Sequence, residues 1–264
     1  MGHNKKMDVA RIILKAMMWF LIIGFFSNFV LKTLSYSFYK GKRQKTNVTA
    51  TPQKLTFSEK LTGYGYHLTN ESNAVILCFG GSFYVAYNTV GIFASYYDVP
   101  FLSVDYYGTQ DSLGKMNLRS MQASAEDFYD WVKEQYPERK IIVVGHSYGC
   151  GMAAYLASVR QCDQLFLLAG FRDLSDLYNK MVPIFWGPLK VFISDNINVA
   201  SYAAKTKCKV TVIGSEADNT LGSDLQMKLA KCYKTSDVKI FPDIEHEHYL
   251  TDERVTSLIQ KAVE

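Results

Sequence analysis

The 264 residues are 48% hydrophobic and 20% charged, with a formal net charge of +4. That balance excludes wholesale disorder, which goes with low hydrophobicity and high net charge, and it fits one α/β domain of ordinary size plus a short appendage. The basic excess gathers near the N-terminus; the body has no extended basic stripe and no zinc-finger or RNA-binding signature, so nucleic acid is not an expected partner.

In chain order, the first feature is Ile12–Leu31, IILKAMMWFLIIGFFSNFVL, whose one charge is Lys15. At 1.5 Å per residue such a run spans about 30 Å, the thickness of a bilayer core. It predicts a single-pass N-terminal membrane helix, with Lys15 reaching to the headgroups. A cleaved signal peptide is the rival, but the run is long for one and Ser35-Tyr36-Ser37 is a poor cleavage site. Lys6 stands where myristoylation after Met1-Gly2 requires Ser or Thr. Lys5, Lys6, Arg11 and Lys15 precede or enter the span, and Lys32, Lys40, Lys42, Arg43 and Lys45 follow it. Basic residues on both flanks leave the side of the membrane open. Residues 40–58 read as a polar juxtamembrane linker, so residues 1–45 are expected to form the anchor with its basic segment and residues 46–264 the folded domain. Asn47-Val-Thr49 and Asn70-Glu-Ser72 fit the glycosylation pattern, which carries meaning only outside the cytosol.

Beyond residue 59, apolar runs of strand length recur: Ala74–Phe79, Phe101–Val104, Ile141–Val144, Leu165–Leu168, Val210–Ile213 and Val238–Phe241. Helical spacing marks Phe83–Tyr97, Ser120–Tyr136, Tyr148–Val159, Leu221–Tyr233 and Thr251–Val263; in the second, Met121, Ala125, Phe128, Trp131 and Val132 share a face. Short strands without strict alternation, separated by helices, predict a mostly parallel central sheet covered by helices on both faces. Residues 171–207 break the rhythm, with many aromatics and no clear strand. They predict either a short cap above the C-terminal edge of the sheet, where open α/β folds bind ligands, or ordinary core helix. The five cysteines, at 78, 150, 162, 208 and 232, are odd in number, widely spaced and without a CxxC pair. No disulfide framework and no metal or redox site is expected from them.

Gly145-His146-Ser147-Tyr148-Gly149 matches G-x-S-x-G. Three fixed positions recur by chance, so the weight lies in the context: an apolar strand ends at Gly145 and a small-residue helix follows. This is the strand–turn–helix that exposes a serine nucleophile, with small neighbours on either side of a strained turn. A serine needs an imidazole base oriented by a carboxylate. His246 and His248 lie in the loop after the last strand, where the base of this chain order belongs, and His246 at the loop's near end is preferred. For the acid, the loop after Val210–Gly214 offers Asp218 first and Glu216 second; Asp173 and Asp176 are distant alternatives. The oxyanion donors are expected to be the amide of Tyr148 and, from Phe79-Gly80-Gly81-Ser82, that of Gly81, with Ser82 next.

The chain resembles the α/β-hydrolase superfamily over residues 63–264, and within it the membrane-anchored branch related to serine aminopeptidases and monoacylglycerol lipases. Asp105-Tyr106-Tyr107-Gly108, followed by Asp111-Ser112-Leu113-Gly114, is similar to the branch's D-Y-R-G-x-G-x-S-x-G run, and Asp127 falls where that branch keeps a carboxylate in the following helix. Ser147, Asp218 and His246 align with the family's nucleophile, acid and base. Two positions depart: Phe79-Gly80 replaces the family's His-Gly, and Tyr107 and Thr109 replace the Arg and Gly of the D-Y-R-G-x-G run. The resemblance implies a serine hydrolase that cleaves a carboxylic ester, esterase- or lipase-like, through an acyl-enzyme and without metal or organic cofactor. Peptidase, thioesterase and acyltransferase chemistry would use the same parts, and a catalytically silent, membrane-tethered interaction domain is the reading from another class. An acyl substrate, lipid-like or small, and the membrane itself are the expected partners.

Overall fold

The computed structural model describes residues 2–43, 48–181, 183 and 185–264. Lys45 of the basic flank and Asn47 of the first glycosylation pattern lie outside the described residues. Eight strands form one sheet: β1 (Gln53–Ser58), β2 (Leu61–Tyr66), β3 (Ala74–Phe79), β4 (Phe101–Val104), β5 (Lys140–His146), β6 (Gln164–Leu168), β7 (Lys209–Ser215) and β8 (Asp237–Phe241). Their order is β1-β2-β4-β3-β5-β6-β7-β8. The pairs β1–β2 and β2–β4 are antiparallel and the other five pairs parallel. The six parallel strands coincide with the six apolar runs; β3 to β7 are buried on both faces, which favours apolar residues at nearly every position, while β8 at the edge is only half-buried.

The two antiparallel strands are where sequence and structure part. Residues 53–58, read as linker, form an edge strand whose residues are mostly exposed, with Phe57 the one buried side chain. An edge strand turns few side chains inward, so it lacks the apolar run that marks a central one.

Successive residues of the parallel strands serve opposite faces. Leu77, Val143, Leu165 and Val212 pack with α3 (Leu118–Gln135), α4 (Gly149–Val159) and α7 (Ser223–Ala230). Ile76, Cys78, Val144 and Phe166 pack with α2 (Ala86–Phe93) and α8 (Glu253–Val263). The expected helix over 83–97 starts late, because Phe83 takes a positive φ of 64° and holds the preceding loop out of helical geometry. A capping box between Asn117 and Ser120 starts α3. Between β6 and β7 lie α5 (Leu174–Met181), a 3₁₀ turn at Gly187–Phe192 and α6 (Val199–Ala203), the stretch read as a short cap or core helix over 171–207 and called the cap below.

Helix α1 (Gly2–Phe38) is longer than the apolar run, and Met7–Phe38 is long and apolar enough to cross a membrane. From Gly24 onward one stripe of it is buried: Gly24, Asn28, Leu31 and Ser35, continued by Tyr39. These are spaced three or four apart, as one helix face requires. They dock on the cap and on the elbow helix. Asn28 and Ser194 exchange two hydrogen bonds of 3.1 Å, and Ser35 Oγ lies 2.8 Å from Tyr178 Oη. Tyr36 Oη donates to Asp195 Oδ2 at 2.8 Å, and Lys32 pairs with the same oxygen at 2.7 Å.

Candidate active site

Strand β5 stops at His146 and α4 starts at Gly149, leaving Ser147 at the bend with φ 52°. A non-glycine residue enters the left-handed region only when its surroundings over-determine it. The Ser147 amide donates to Leu168 O at 2.8 Å, and Ser147 O accepts from the Cys150 amide at 3.0 Å. The flanking glycines are a matter of space. A Cβ on Gly145 would sit 2.7 Å from both Cys150 Cα and Ala153 Cβ, and one on Gly149 would sit 2.0 Å from Phe79 O. Parallel register sets Phe79 opposite Gly145, and this brings the loop after β3 against the bend.

The loops after β7 and β8 leave the same edge of the sheet, since Ser215 pairs with Phe241. They deliver Asp218 and His246. His246 Nε2 lies 3.0 Å from Ser147 Oγ, and His246 Nδ1 lies 2.9 Å from Asp218 Oδ2. Asp218 is braced further. Its Oδ1 accepts from the amides of Thr220 and Leu221 at 2.9 and 2.8 Å, and its Oδ2 from Tyr249 Oη at 3.2 Å. Burial alone would push this carboxyl up; the hydrogen bonds from His246 and the two amides outweigh it and hold the group below its ordinary value. Asp218 therefore stays ionised where the imidazole needs a counter-charge.

The alternates fall elsewhere. Glu216 is exposed, and His248 is 64% exposed with Glu245 at 3.8 Å. Asp173 and Asp176 pair with Arg172 in the cap and do not join the cluster. Ser82 is half-buried beside Gly81. At Gly81 a Cβ would meet His146 Nδ1 at 2.9 Å and Ser147 Cβ at 3.2 Å, so this backbone passes close to the nucleophile. Among the described residues the amides of Gly81, Ser82 and Tyr148 donate to no protein acceptor. The loop is pinned by the Phe83 amide, which donates to the Phe38 carbonyl at the end of α1 at 2.6 Å.

Residues 75–196 match the family model described as alpha/beta hydrolase fold, a stretch that includes Ser147 and ends before Asp218 and His246. The eight-stranded order and the elbow agree with that match. The chain has the α/β-hydrolase fold. It is 27% identical over 145 residues to the lysophosphatidylserine lipase ABHD12 of Danio rerio. That match covers 48% of this chain and only 38% of the relative. Among solved structures, the Pyrococcus furiosus esterase Pf2001 superposes with a TM-score of 0.63 at 18% identity, over 85% of this chain and 95% of that one. Est1E from Butyrivibrio proteoclasticus, bound to ferulic acid, gives 0.59 at 16% identity, over 79% and 96%. The Pyrococcus horikoshii acylaminoacyl peptidase gives 0.57 at 17% identity, over 82% of this chain and 41% of that one.

Within this hydrolase fold, three residues act in ways the sequence did not signal. His146, within the elbow itself, donates Nε2–H to the backbone carbonyl of His246 at 2.8 Å and so ties the loop after β8 to the elbow. Burial, with His246 alongside, lowers its pKa to about 4, which keeps the ring neutral near pH 7. Tyr249 reaches Asp218 from the turn after the base. Tyr107, standing where the D-Y-R-G-x-G run has Arg, still reaches the helix carboxylate: its Oη donates to Asp127 Oδ2 at 2.5 Å. This bond holds the loop after β4 against α3.

Proposed function

We propose that the chain is a membrane-anchored serine hydrolase that cleaves a carboxylic ester of a lipid-like substrate through an acyl-enzyme. The observation that carries this is the relay from Ser147 Oγ through His246 to Asp218, at 3.0 and 2.9 Å. His246 Nε2 takes the hydroxyl proton as Ser147 Oγ attacks the acyl carbon, and Asp218 stabilises the imidazolium that forms. The amides of Tyr148 and Gly81, with the N-terminus of α4, face the oxygen that becomes negative. His246 then gives its proton to the departing alcohol oxygen. Water attacks the acyl-enzyme, losing its proton to His246, and Ser147 recovers the proton as the carboxylic acid leaves.

The ester reading is supported by the names of the relatives, a lipase and two esterases, and the lipid-like substrate by the apolar helix packed against the cap. A peptidase among the structural neighbours keeps amide cleavage as the second reading, since the same groups serve it. The test is a fluorophosphonate probe on the full chain in detergent, followed by p-nitrophenyl esters of graded length. Labelling that disappears in Ser147→Ala, with turnover rising with chain length, supports the proposal. A folded chain that never labels is the silent interaction domain. Labelling without ester turnover moves the substrate to amides or thioesters.

A further inference from the structure

The apolar surface of α1 and the level at which the cap meets it do not fit a tether that ends below a water-exposed domain. The cap reaches far up the helix. The Phe192 ring fills the notch at Gly24, where a Cβ would lie 2.7 Å from it, and it packs edge-on against Phe20 and Phe25 at centroid distances of 5.7 and 5.3 Å. Off the docked stripe, Phe25, Phe26, Phe29 and Leu34 are exposed, Phe29 to 67%. If the bilayer ended above Gly24, these side chains would face water, and the run Ile12–Ile23 would offer only about 18 Å against a core of about 30 Å. A bilayer that covers the stripe as far as Leu34 extends about 15 Å past Gly24, and there it meets the cap.

We infer that the cap turn at residues 186–192 enters the acyl-chain region of the bilayer beside α1, so that the molecule is embedded through its cap as well as its helix. The turn is built for that surrounding. Val191 is 79% exposed and Trp186 56% exposed, two large apolar side chains on the turn that carries Phe192 to α1. Polar groups at the same level are satisfied internally, as hydrocarbon requires. Asn28 pairs with Ser194, Lys32 and Tyr36 with Asp195, and Trp186 Nε1 donates to Pro183 O at 3.0 Å. Lys190, the cation of the turn, reaches inward to Asp173 at 3.1 Å. The occupant of this surface is phospholipid acyl chain, on the ground of continuity with the span itself. The inference rests on α1 as the membrane anchor in the proposed function and is independent of the chemistry at Ser147.

The chain has three tryptophans, Trp19, Trp131 and Trp186, which makes the test direct. Three variants of the full chain, each keeping one tryptophan with the other two changed to Phe, are reconstituted in phosphatidylcholine vesicles carrying bromines along the acyl chains. Trp19 in the span is expected to be quenched, Trp131 on α3 to be untouched, and Trp186 to be quenched with loss of acrylamide accessibility. Trp186 quenched by acrylamide and not by bromolipid, while Trp19 responds, overturns the inference and leaves the serine hydrolase reading intact. No response from Trp19 removes the anchor and the inference together. Adding Ser147→Ala to each variant leaves the expected quenching pattern unchanged, so catalytic failure cannot imitate either result.

Discussion

The elbow and the contact of α1 with the cap are both tight, but they are tight for different reasons. At the elbow, backbone meets backbone: Gly149 lies against the Phe79 carbonyl, the Ser147 amide is bonded to Leu168, and the strand register sets both. At α1, side chains far apart in sequence meet in pairs, Asn28 with Ser194 and Tyr36 with Asp195. Backbone packing of this kind dictates residue type locally and leaves a motif. Paired side chains leave no local trace, because each partner is an ordinary polar residue in its own segment.

Substitutions can break that contrast. The largest effect is expected from Ser147→Ala, with turnover falling about 10⁶-fold, as removal of a triad serine does, and fluorophosphonate labelling lost. Next comes Asp218→Asn, which leaves the contacts near normal but favours the wrong imidazole tautomer; kcat is expected to drop about 10⁴-fold, while Glu216→Gln stays at wild-type kcat. A wild-type rate for Asp218→Asn would refute the assignment of the acid.

His146→Gln tests the tie between elbow and base loop through pH. The folded pKa of His146, about 4, lies below its ordinary value of 6.5. Its neutral form is therefore favoured by folding; the contribution is fully present above about pH 6.5 and is lost as pH falls through 4. Buried Asp105, pushed up to about 7 by burial, works with the opposite sign: its contribution is present at low pH and is lost as pH rises through 7. The two oppose each other between pH 4 and 6.5, so the wild type should show little slope there. The stability gap between wild type and His146→Gln should shift by about 3 kcal/mol between pH 7 and pH 4, from the 1.36 kcal/mol of one pKa unit, measured as denaturant midpoints in detergent. The smallest effect is expected at the anchor: Asp195→Asn removes a charged acceptor from Lys32 and Tyr36 and should cost about 1–2 kcal/mol without changing kcat.

Much of the fold was legible. Strands buried on both faces leave apolar runs, and β3 to β7 were visible for that reason; β8 showed its run Val238–Phe241 although it is only half-buried. The edge strand β1 was not, since Phe57 is its one buried side chain, and the glycine-rich β2 left only a β-like run without a continuous apolar stretch. For the site, Ser147 and the two candidate loops could be read, and the choices within each loop were harder. Asp218 and Glu216 differ in burial, which the strand–Gly–loop pattern only suggested. His246 and His248 share one 3₁₀ turn of three residues per turn, so two positions apart they face different ways and one of them meets Ser147. The bond from His146 to a carbonyl 100 residues away had no signal at all.

The bond from the Phe83 amide to the Phe38 carbonyl bears on where the protein can be cut. Helix α1 ends as a strut under the loop after β3, with Phe38 tilted and Tyr39 edge-on against the Tyr148 ring. Removing residues 1–45 would strip that strut and lay bare Tyr148 and Tyr178. A shortened protein that keeps its working shape has to begin before Gly24, and it will carry a greasy half-helix into solution with it.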